Sequence, residues 1–395
     1  MVQARARLPF NPDVLEWARL RAGISVEEAA KKAHVSPDRV AAWEAGDTIP
    51  TPRQARILAK HYDRPFLEFF AKEVPEVQDL QLVPDYRFHT KPARPVEERT
   101  LRQVQAWAEE QRLNVLDLFD ILGEQPGTFP EGLYAETSED VEDVAQRARQ
   151  HLDFSVRDQT SLSNSLKYKL PTIIRSKFSS CNVLVLKESA LGKFRTRGIC
   201  LFAEPLPVVV YGNEAPGAQS FTLVHEFAHV LLRKSAISAY PRFGRTTNPN
   251  KLVEGWCNRF AAAFLMPEEE IQSELRKPGK PDSEISDARI SEMASRFGVS
   301  RQAMLIRFVT LNYVEAKFYW RVKRRQFIEE EEQYEPPPAR SPYYGTRYKS
   351  RLGEYYTGLV MEAWNAGAIT AHNAAEFMGI KNLQHLIDIR REVSY

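Results

Sequence analysis

Long apolar segments and paired cysteines are both missing from this sequence of 395 residues. The longest unbroken apolar run, from Phe260 to Met266, is far shorter than the roughly 20 residues that cross a bilayer. The first residues, MVQARARLPF, have no apolar core of the kind that a signal peptide needs, so we expect a cytoplasmic protein with no membrane association. Cys181, Cys200 and Cys257 lack CxxC spacing, which argues against a zinc knuckle or a redox pair.

An excess of charge of one sign is also missing, which excludes a general polyanion binder. The 54 Lys and Arg residues face 52 Asp and Glu residues, and the net charge is +2. At roughly 100 to 200 residues per domain, the length allows two or three domains. A hydrophobic content of 43%, with 11% aromatic residues, is sufficient to build buried cores. We therefore expect a globular chain with more than one domain.

The periodicity of the apolar residues predicts a mainly α protein with a small β-sheet, which is an α+β fold. Near the beginning, Ser25 and Glu28 form the pattern of a capping box, and Ser36 with Pro37 marks a second helix start. Helical patterns dominate the rest of the chain. Three short runs of apolar residues predict strands, at 182–186, 199–202 and 207–211.

Two of the eight histidines stand four residues apart, in the apolar segment FTLVHEFAHVLL. Positions i and i+4 share one face of a helix, so His225 and His229 can offer two imidazole nitrogens to one metal ion. Glu226 lies one residue further round, where its carboxylate can take a proton from a water that zinc activates. Without a metal, three such groups on a buried helix would each need another partner, so we predict a zinc site.

A third protein ligand is needed, because a catalytic zinc site has three protein ligands and an open fourth position. Glu254 stands 25 residues after His229 and begins a segment, EGWCNRFAAAFLMP, that is otherwise strongly apolar. A carboxylate at the start of such a helix faces either solvent or the metal, and we predict that it faces the metal. The other six histidines have no second ligand at useful spacing, so we predict surface or packing roles for them.

The segments FTLVHEFAHVLL and EGWCNRFAAAFLMP together resemble the ImmA/IrrE family of bacterial metallopeptidases, whose motif has HExxH, then E-x-x-x-N-x-F-A, then L-M-P. The resemblance covers roughly residues 135 to 325 and implies a zincin-like metallopeptidase domain. It implies that Zn²⁺ is bound by His225, His229 and Glu254. Glu226 is then the general base.

The same resemblance implies that Asn258 supports the ligands and that Cys257, where the family often has alanine, is a tolerated small residue. It further implies cleavage of a partner transcription factor, typically a repressor of the helix-turn-helix class. The loop from Arg233 to Lys251 is basic and aromatic, which suits a peptide cleft or an ordinary surface loop. Tyr240 in this loop is a candidate for stabilising the oxyanion of the reaction.

Residues 13–70 resemble the XRE/Cro-type helix-turn-helix family, with the specific ending Trp43-Glu44-Ala-Gly46. The resemblance implies DNA binding, for which Arg39 and Arg53 are the expected contacts. In the first 70 residues, however, eleven Lys and Arg face nine Asp and Glu, so the electrostatic footprint for DNA is weak. Docking of a protein partner or dimerisation is a second interpretation, and a homodimer stays open.

The composition and the two resemblances predict five segments. They are a helix-turn-helix domain at 1–72, a connector with a helical segment at 73–133, the metallopeptidase domain at 134–328, an acidic Pro-rich linker at 329–342, and a C-terminal helical module at 343–395.

Two functions fit this organisation. The first is a cytoplasmic regulator that binds DNA and whose zinc endopeptidase cleaves a specific partner protein. The second is an antitoxin or transcriptional regulator that binds and neutralises a toxin, such as a PIN-like nuclease, with a mainly structural metal site. Glu226 and the C-terminal module separate the two, because only the first function requires the general base.

Overall fold

The structure is a computed structural model of the chain. It describes residues 10–22, 24–62, 64, 66–74, 95–193, 196–239, 249–276, 285–333 and 344–393. The predicted α+β class is confirmed, because helices dominate these residues and one small mixed sheet accompanies them. Two units can be separated: residues 1–82 with 92–102, and residues 83–91 with 103–395.

In the described part of the first unit, four short α-helices precede a long one. They are α1 (Pro12–Arg21), α2 (Val26–Ala33), α3 (Pro37–Glu44) and α4 (Pro52–Tyr62), followed by α5 (Pro95–Leu122), which continues into the second unit. Asn11 caps α1 by accepting a hydrogen bond from the Asp13 amide, and Ser25 caps α2 through the Glu28 amide. Ser36 occupies the predicted cap position of α3, but its side chain makes no capping hydrogen bond.

The first unit has its own apolar core, with Trp43 and Leu58 among its buried residues. A buried ion pair lies beside this core. The Arg19 guanidinium donates to both carboxylate oxygens of Glu44, at 2.7 and 2.8 Å, and to the Ile24 carbonyl at 3.1 Å. The Trp-Glu dipeptide of the helix-turn-helix motif therefore stabilises the fold, and neither side chain faces outward for a ligand.

The second unit contains the remaining described helices and all four described strands. The helices are α6 (Val141–His151), α7 (Val156–Thr160), α8 (Leu170–Ser179), α9 (Pro216–Leu231), α10 (Pro249–Leu265), α11 (Glu268–Leu275), α12 (Asp287–Phe297), α13 (Arg301–Thr310), α14 (Ala316–Phe318), α15 (Arg324–Glu332), α16 (Tyr344–Leu352), α17 (Glu354–Asn365), α18 (Ala371–Phe377) and α19 (Leu383–Val393). The strands are β1 (Leu184–Lys187), β2 (Thr196–Leu201), β3 (Val208–Tyr211) and β4 (Ala236–Ala239).

The strands form one mixed sheet in the order β1-β3-β2-β4. β1 pairs in parallel with β3, and β2 pairs antiparallel with both β3 and β4. β1, β2 and β3 correspond to the three predicted strands, whereas β4 was not predicted from the sequence. β1 and β3 are apolar and almost wholly buried, as expected of strands in the core of a domain.

The carboxyl end of α10 is held by side chains from three other helices. The last carbonyl groups of a helix have no partner within it, and here buried side chains supply the donors. The nitrogen-to-oxygen distances are 2.6 Å from Arg149 to Phe264, 2.8 Å from Gln159 to Leu265, and 2.9 Å from Arg307 to Met266. These bonds fix α10 relative to α6, α7 and α13.

Two further findings concern the predicted linker and the membrane. α15 continues to Glu332, so the glutamates at 329–332, which composition assigns to the linker, lie in a helix; residues 334–342 are outside the described residues. The predicted helical character of the chain after residue 343 is present in α16 to α19. Among the described helices, none is long and apolar enough to span a bilayer.

Candidate metal centre

The structure brings His225, His229 and Glu254 together in the interior of the second unit. The two histidines lie four residues apart on α9, and their Nε2 atoms are 3.3 and 3.0 Å from the Glu254 carboxylate on α10. All three residues are buried, and one potential ligand atom from each lies within 4.8 Å of the others. The local cause is the apolar sequence of both helices, which buries the faces that carry these polar groups.

The donor set fits a zinc ion in number, chemistry and spacing. Two imidazole nitrogens and a carboxylate are a typical catalytic zinc set, and ligand atoms on a tetrahedral zinc lie roughly 3.3 Å apart for bonds of about 2.0 to 2.1 Å. Nε2 of His225 and Oε1 of Glu254 are also buried without a hydrogen-bond partner of acceptable geometry. Since buried polar atoms are usually satisfied, these two atoms are suited to bind a metal ion.

The protonation states of Glu254 and His229 also suit a metal, whereas the pKa of His225 is shifted in the opposite direction. Burial opposes the charged carboxylate of Glu254, but the two imidazoles outweigh burial and lower its pKa to about 2. Burial lowers the pKa of His229, which favours the neutral imidazole that a metal requires. For His225, burial is outweighed by the neighbouring Glu254 carboxylate, and the pKa is raised.

Two residues on α10 contact the imidazoles. Asn258 is buried one turn after Glu254, and its side chain interacts with His225. Cys257 Sγ lies 3.7 Å from Nδ1 of His229. In the tautomer that would leave Nε2 available to a metal ion, the Nδ1–H group donates a hydrogen bond to this sulfur, which would orient the ring. The sequence interpretation of Cys257 as a mere small residue therefore missed a contact.

Glu226, the predicted general base, is fully buried and packs against strand β2. A Cβ added at Gly198 would lie 2.6 Å from both Cγ and Cδ of Glu226, closer than real Cβ atoms approach other atoms. Only glycine therefore leaves room for this carboxylate between α9 and β2. Sequence reasoning missed Gly198 because the predicted strand began at residue 199, whereas β2 begins at Thr196 and places this glycine inside the strand, where glycine is a known signal of close approach.

A second feature of the centre is a mainly apolar cavity that begins beside Asn258. Phe221 of α9, Ala262 of α10, and Ala303 and Ile306 of α13 contribute its apolar walls. The cavity has a volume of about 40 Å³, and of the residues at the centre only Asn258 lines it.

Two further sequence predictions for this region concern the start of α10 and the position of Tyr240. α10 begins at Pro249, whereas the sequence pattern places the helix start at Glu254. Glu254 therefore lies in the second turn, where its side chain reaches the interior and is buried. Tyr240, the candidate for oxyanion stabilisation, lies outside the described residues.

The predicted DNA contacts lie in the first unit. Arg39 is exposed in the first turn of α3, and Arg53 is exposed at the beginning of α4. Arg56 and Lys60 are also exposed on α4, at the helical spacing that continues from Arg53, and the sequence analysis did not single them out.

Two parts of the chain are similar to known protein families. Residues 181–309 match the family model described as the IrrE N-terminal-like domain, Peptidase_M78, and residues 15–69 match a helix-turn-helix family model. Both resemblances predicted from the sequence are thereby confirmed. The first match includes α9 and α10, and so includes all three potential ligands. No curated protein matches the chain.

Proposed function

We propose that this protein, which joins a helix-turn-helix domain of the DNA-binding type to an IrrE N-terminal-like peptidase domain, is a regulator with a zinc-dependent endopeptidase site. Its substrate is a specific partner protein, a transcriptional repressor. One observation carries the proposal: His225, His229 and Glu254 converge in the core with Glu226 beside them. Because a DNA-binding regulator must reach DNA, we infer that it acts in the cytoplasm.

In this proposal, each residue of the centre has its own role in hydrolysis. His225, His229 and Glu254 hold zinc, which when bound polarises a carbonyl group and lowers the pKa of a water molecule. The Glu226 carboxylate takes a proton from the attacking water and returns it to the leaving amine. Gly198 keeps this carboxylate in place against β2, and the apolar surroundings exclude bulk water.

The cavity beside Asn258 supports a peptide substrate. Its walls include Phe221, Ala262, Ala303 and Ile306, which offer an apolar surface to one side chain of a bound peptide. A side chain held there positions the neighbouring peptide bond at the ligand group, and such positioning is a large part of catalysis.

The DNA-binding part of the proposal rests on the helix-turn-helix match and on the exposed arginines. We propose that Arg39 reads base edges and that Arg53 contacts phosphate. Arg39→Ala should then relax sequence preference, whereas Arg53→Ala should weaken binding to all sequences equally. Binding of labelled operator fragments at two salt concentrations measures both effects.

The test of the peptidase begins with the zinc content of the purified full-length chain. We expect about one equivalent in the wild type and in Glu226→Gln, and a loss in His225→Ala, because only the last change removes a ligand. Mass spectrometry of newly formed protein N-termini, in cells that express either the wild type or Glu226→Gln, then identifies the substrate.

We expect Glu226→Gln to lower the cleavage rate by roughly 10² to 10⁴, since it removes the general base. Glu269→Gln, an exposed glutamate on α11, serves as the matched control and should cleave normally. If Glu226→Gln keeps full biological activity while deletion of residues 343–395 abolishes it, the endopeptidase proposal fails and the antitoxin alternative is favoured.

A further inference from the structure

A large cavity lies in the second unit, away from the metal ligands. It has a volume of about 1120 Å³ and opens between α8, the carboxyl ends of β1 and β3, and the helices α16 and α17. None of His225, His229 and Glu254 lines it. The proposed endopeptidase activity therefore leaves this cavity unexplained.

Two cations lie in the wall of this cavity, near the same tyrosine ring. Lys187 is the last residue of β1 and pairs in register with Tyr211, the last residue of β3. The Lys187 Nζ is 5.7 Å from the centre of the Tyr211 ring, and the Arg175 guanidinium is 5.9 Å from it. The register of the two parallel strands thus places Lys187 beside Tyr211, and helix α8 brings Arg175 to the same ring.

Arg175 already forms several hydrogen bonds with backbone carbonyl groups. Its guanidinium is buried and donates hydrogen bonds to the carbonyl oxygens of Val185 at 2.8 Å, Ser350 at 2.6 Å and Arg351 at 3.1 Å. It thereby holds the last turn of α16 against β1. Its positive charge is not neutralised by this arrangement, because carbonyl oxygens carry only partial charges.

Lys187 has fewer contacts. Its ammonium group reaches only Gln219 Oε1, at 3.4 Å. Within the described part of the chain, the nearby carboxylates each have another basic partner: Glu188 pairs with Arg351 at 2.7 Å, and Glu214 pairs with Arg197 at 3.1 Å. Glu354, which lines the cavity and partly offsets the charge of Arg175, pairs with Lys349 at 3.9 Å. Burial and the neighbouring positive charge of Arg175 both lower the pKa of Lys187.

Two positive charges that repel each other in a partly dry cavity are unfavourable unless an anion joins them. We propose that this cavity is a binding site for a small phosphate-bearing molecule, whose phosphate group contacts Lys187 and compensates the charge of Arg175. Hydroxyl groups of Ser176 and Thr346 line the same space and can donate to further oxygens. The volume exceeds that of a phosphate ion and leaves room for an attached sugar or nucleoside.

The proposal is tested by titrating the full-length chain with inorganic phosphate and with adenosine monophosphate, followed by calorimetry. We expect saturable binding of at least one of the two probes, and at least a tenfold loss of affinity in Lys187→Gln. Lys317→Gln is the matched control, since Lys317 is well exposed on α14 and lies outside the cavity. Tighter binding of the nucleotide assigns the rest of the cavity to the nucleoside, and equal binding assigns the site to phosphate alone.

A second measurement, the melting temperature, distinguishes a loss of binding from a loss of folding. Without any anion, Lys187→Gln should melt at the wild-type temperature or slightly above it, because the change removes a repulsion and no ion pair. The proposal is overturned if neither probe binds saturably at millimolar concentration, or if Lys187→Gln binds both probes as the wild type does. None of these readouts depends on zinc or on proteolysis, so a failure of the proposed endopeptidase function would be seen separately.

Discussion

Two buried glutamates, Glu44 in the first unit and Glu254 in the second, meet basic side chains in different ways. Glu44 receives two hydrogen bonds from one guanidinium, at 2.7 and 2.8 Å. The Glu254 carboxylate lies 3.0 and 3.3 Å from the Nε2 atoms of His229 and His225. Nε2 of His225 on α9 and Oε1 of Glu254 on α10 have no hydrogen bond of acceptable geometry. The first arrangement is complete with protein atoms alone, whereas the second offers the atoms that the proposed metal ion would bind.

The difference shows how a structural charge can be distinguished from a functional one. A buried charge that stabilises the fold has its hydrogen bonds filled by the protein. A buried charge that serves a ligand is held in position by neighbours, here Cys257 and Asn258, while its own ligand atom is left available. Four experiments can test this distinction, and they are given from the largest expected effect to the smallest.

The largest expected effect is stabilisation by zinc. At a zinc concentration of roughly a thousand times the Kd, the free energy of unfolding of the second unit should rise by about 4 kcal/mol. His229→Ala should abolish the rise, because one of three ligands is lost, and urea unfolding with and without zinc measures it. His151→Ala, which alters an exposed histidine on α6, should respond as the wild type does. An undiminished zinc response in His229→Ala would contradict the proposed site.

Breaking the ion pair of the first unit should have the next largest effect. Glu44→Ala leaves the buried guanidinium of Arg19 without its carboxylate, which should cost about 3 kcal/mol of stability. Thermal unfolding measures this cost, and the exposed Asp47→Ala should change the stability by less than about 0.5 kcal/mol.

The double variant Arg19→Leu with Glu44→Leu sharpens the comparison. Because no charge is left uncompensated, most of the stability lost in Glu44→Ala should return. Zinc should leave the stability of the first unit unchanged in every one of these variants. A double variant as unstable as Glu44→Ala would show that the pair does more than satisfy its own charges.

A smaller effect is expected at Gly198. The methyl group in Gly198→Ala overlaps the Glu226 side chain, and such overpacking costs about 1 to 3 kcal/mol. Displacement of the carboxylate should lower the cleavage rate more than it lowers zinc content. Gly358→Ala is the matched control, because the added methyl group on α17 meets no atom within 4 Å. Equal cleavage rates in Gly198→Ala and Gly358→Ala would show that Gly198 has no role in positioning Glu226.

The smallest effect is expected at Lys187. With no anion present, Lys187→Met should change the free energy of unfolding by less than about 0.5 kcal/mol, since the side chain has no charged partner to lose. Arg175→Met should cost clearly more, because the carbonyl groups of Val185, Ser350 and Arg351 lose their donor. Chemical unfolding of both variants in phosphate-free buffer compares them.

The sequence was sufficient to predict those parts of the site that depend on local spacing. The i, i+4 relation of His225 and His229 holds on any helix, and the apolar surroundings of Glu254 predicted that its carboxylate would face inward. The three strands before α9 and the helices on either side were predicted for the same reason, because periodicity reports local structure.

Other parts depend on contacts between residues far apart in the chain. The need for glycine at position 198 arises only because β2 packs against Glu226. Arg149 donates a hydrogen bond to the carbonyl group of Phe264, 115 residues later in the chain. The strand β4 was missed because its sequence, AISA, contains one β-branched residue and otherwise only small ones, unlike the leucine- and valine-rich runs of β1 and β3. In the sequence, Arg175 and Lys187 are indistinguishable from other basic residues; only the packing of α8 beside β1 and β3 brings both near the Tyr211 ring.

The bonds that hold the carboxyl end of α10 affect the order in which the metal centre can form during synthesis. Arg149 and Gln159 precede α10, but Arg307 follows it by about 40 residues. A nascent chain on the ribosome already contains both histidines and Glu254 well before Arg307 has been made. Until that arginine emerges, the Met266 carbonyl lacks its donor and the helix that carries Glu254 is only partly anchored. We therefore expect the proposed metal ion to be bound tightly only after translation has passed α13.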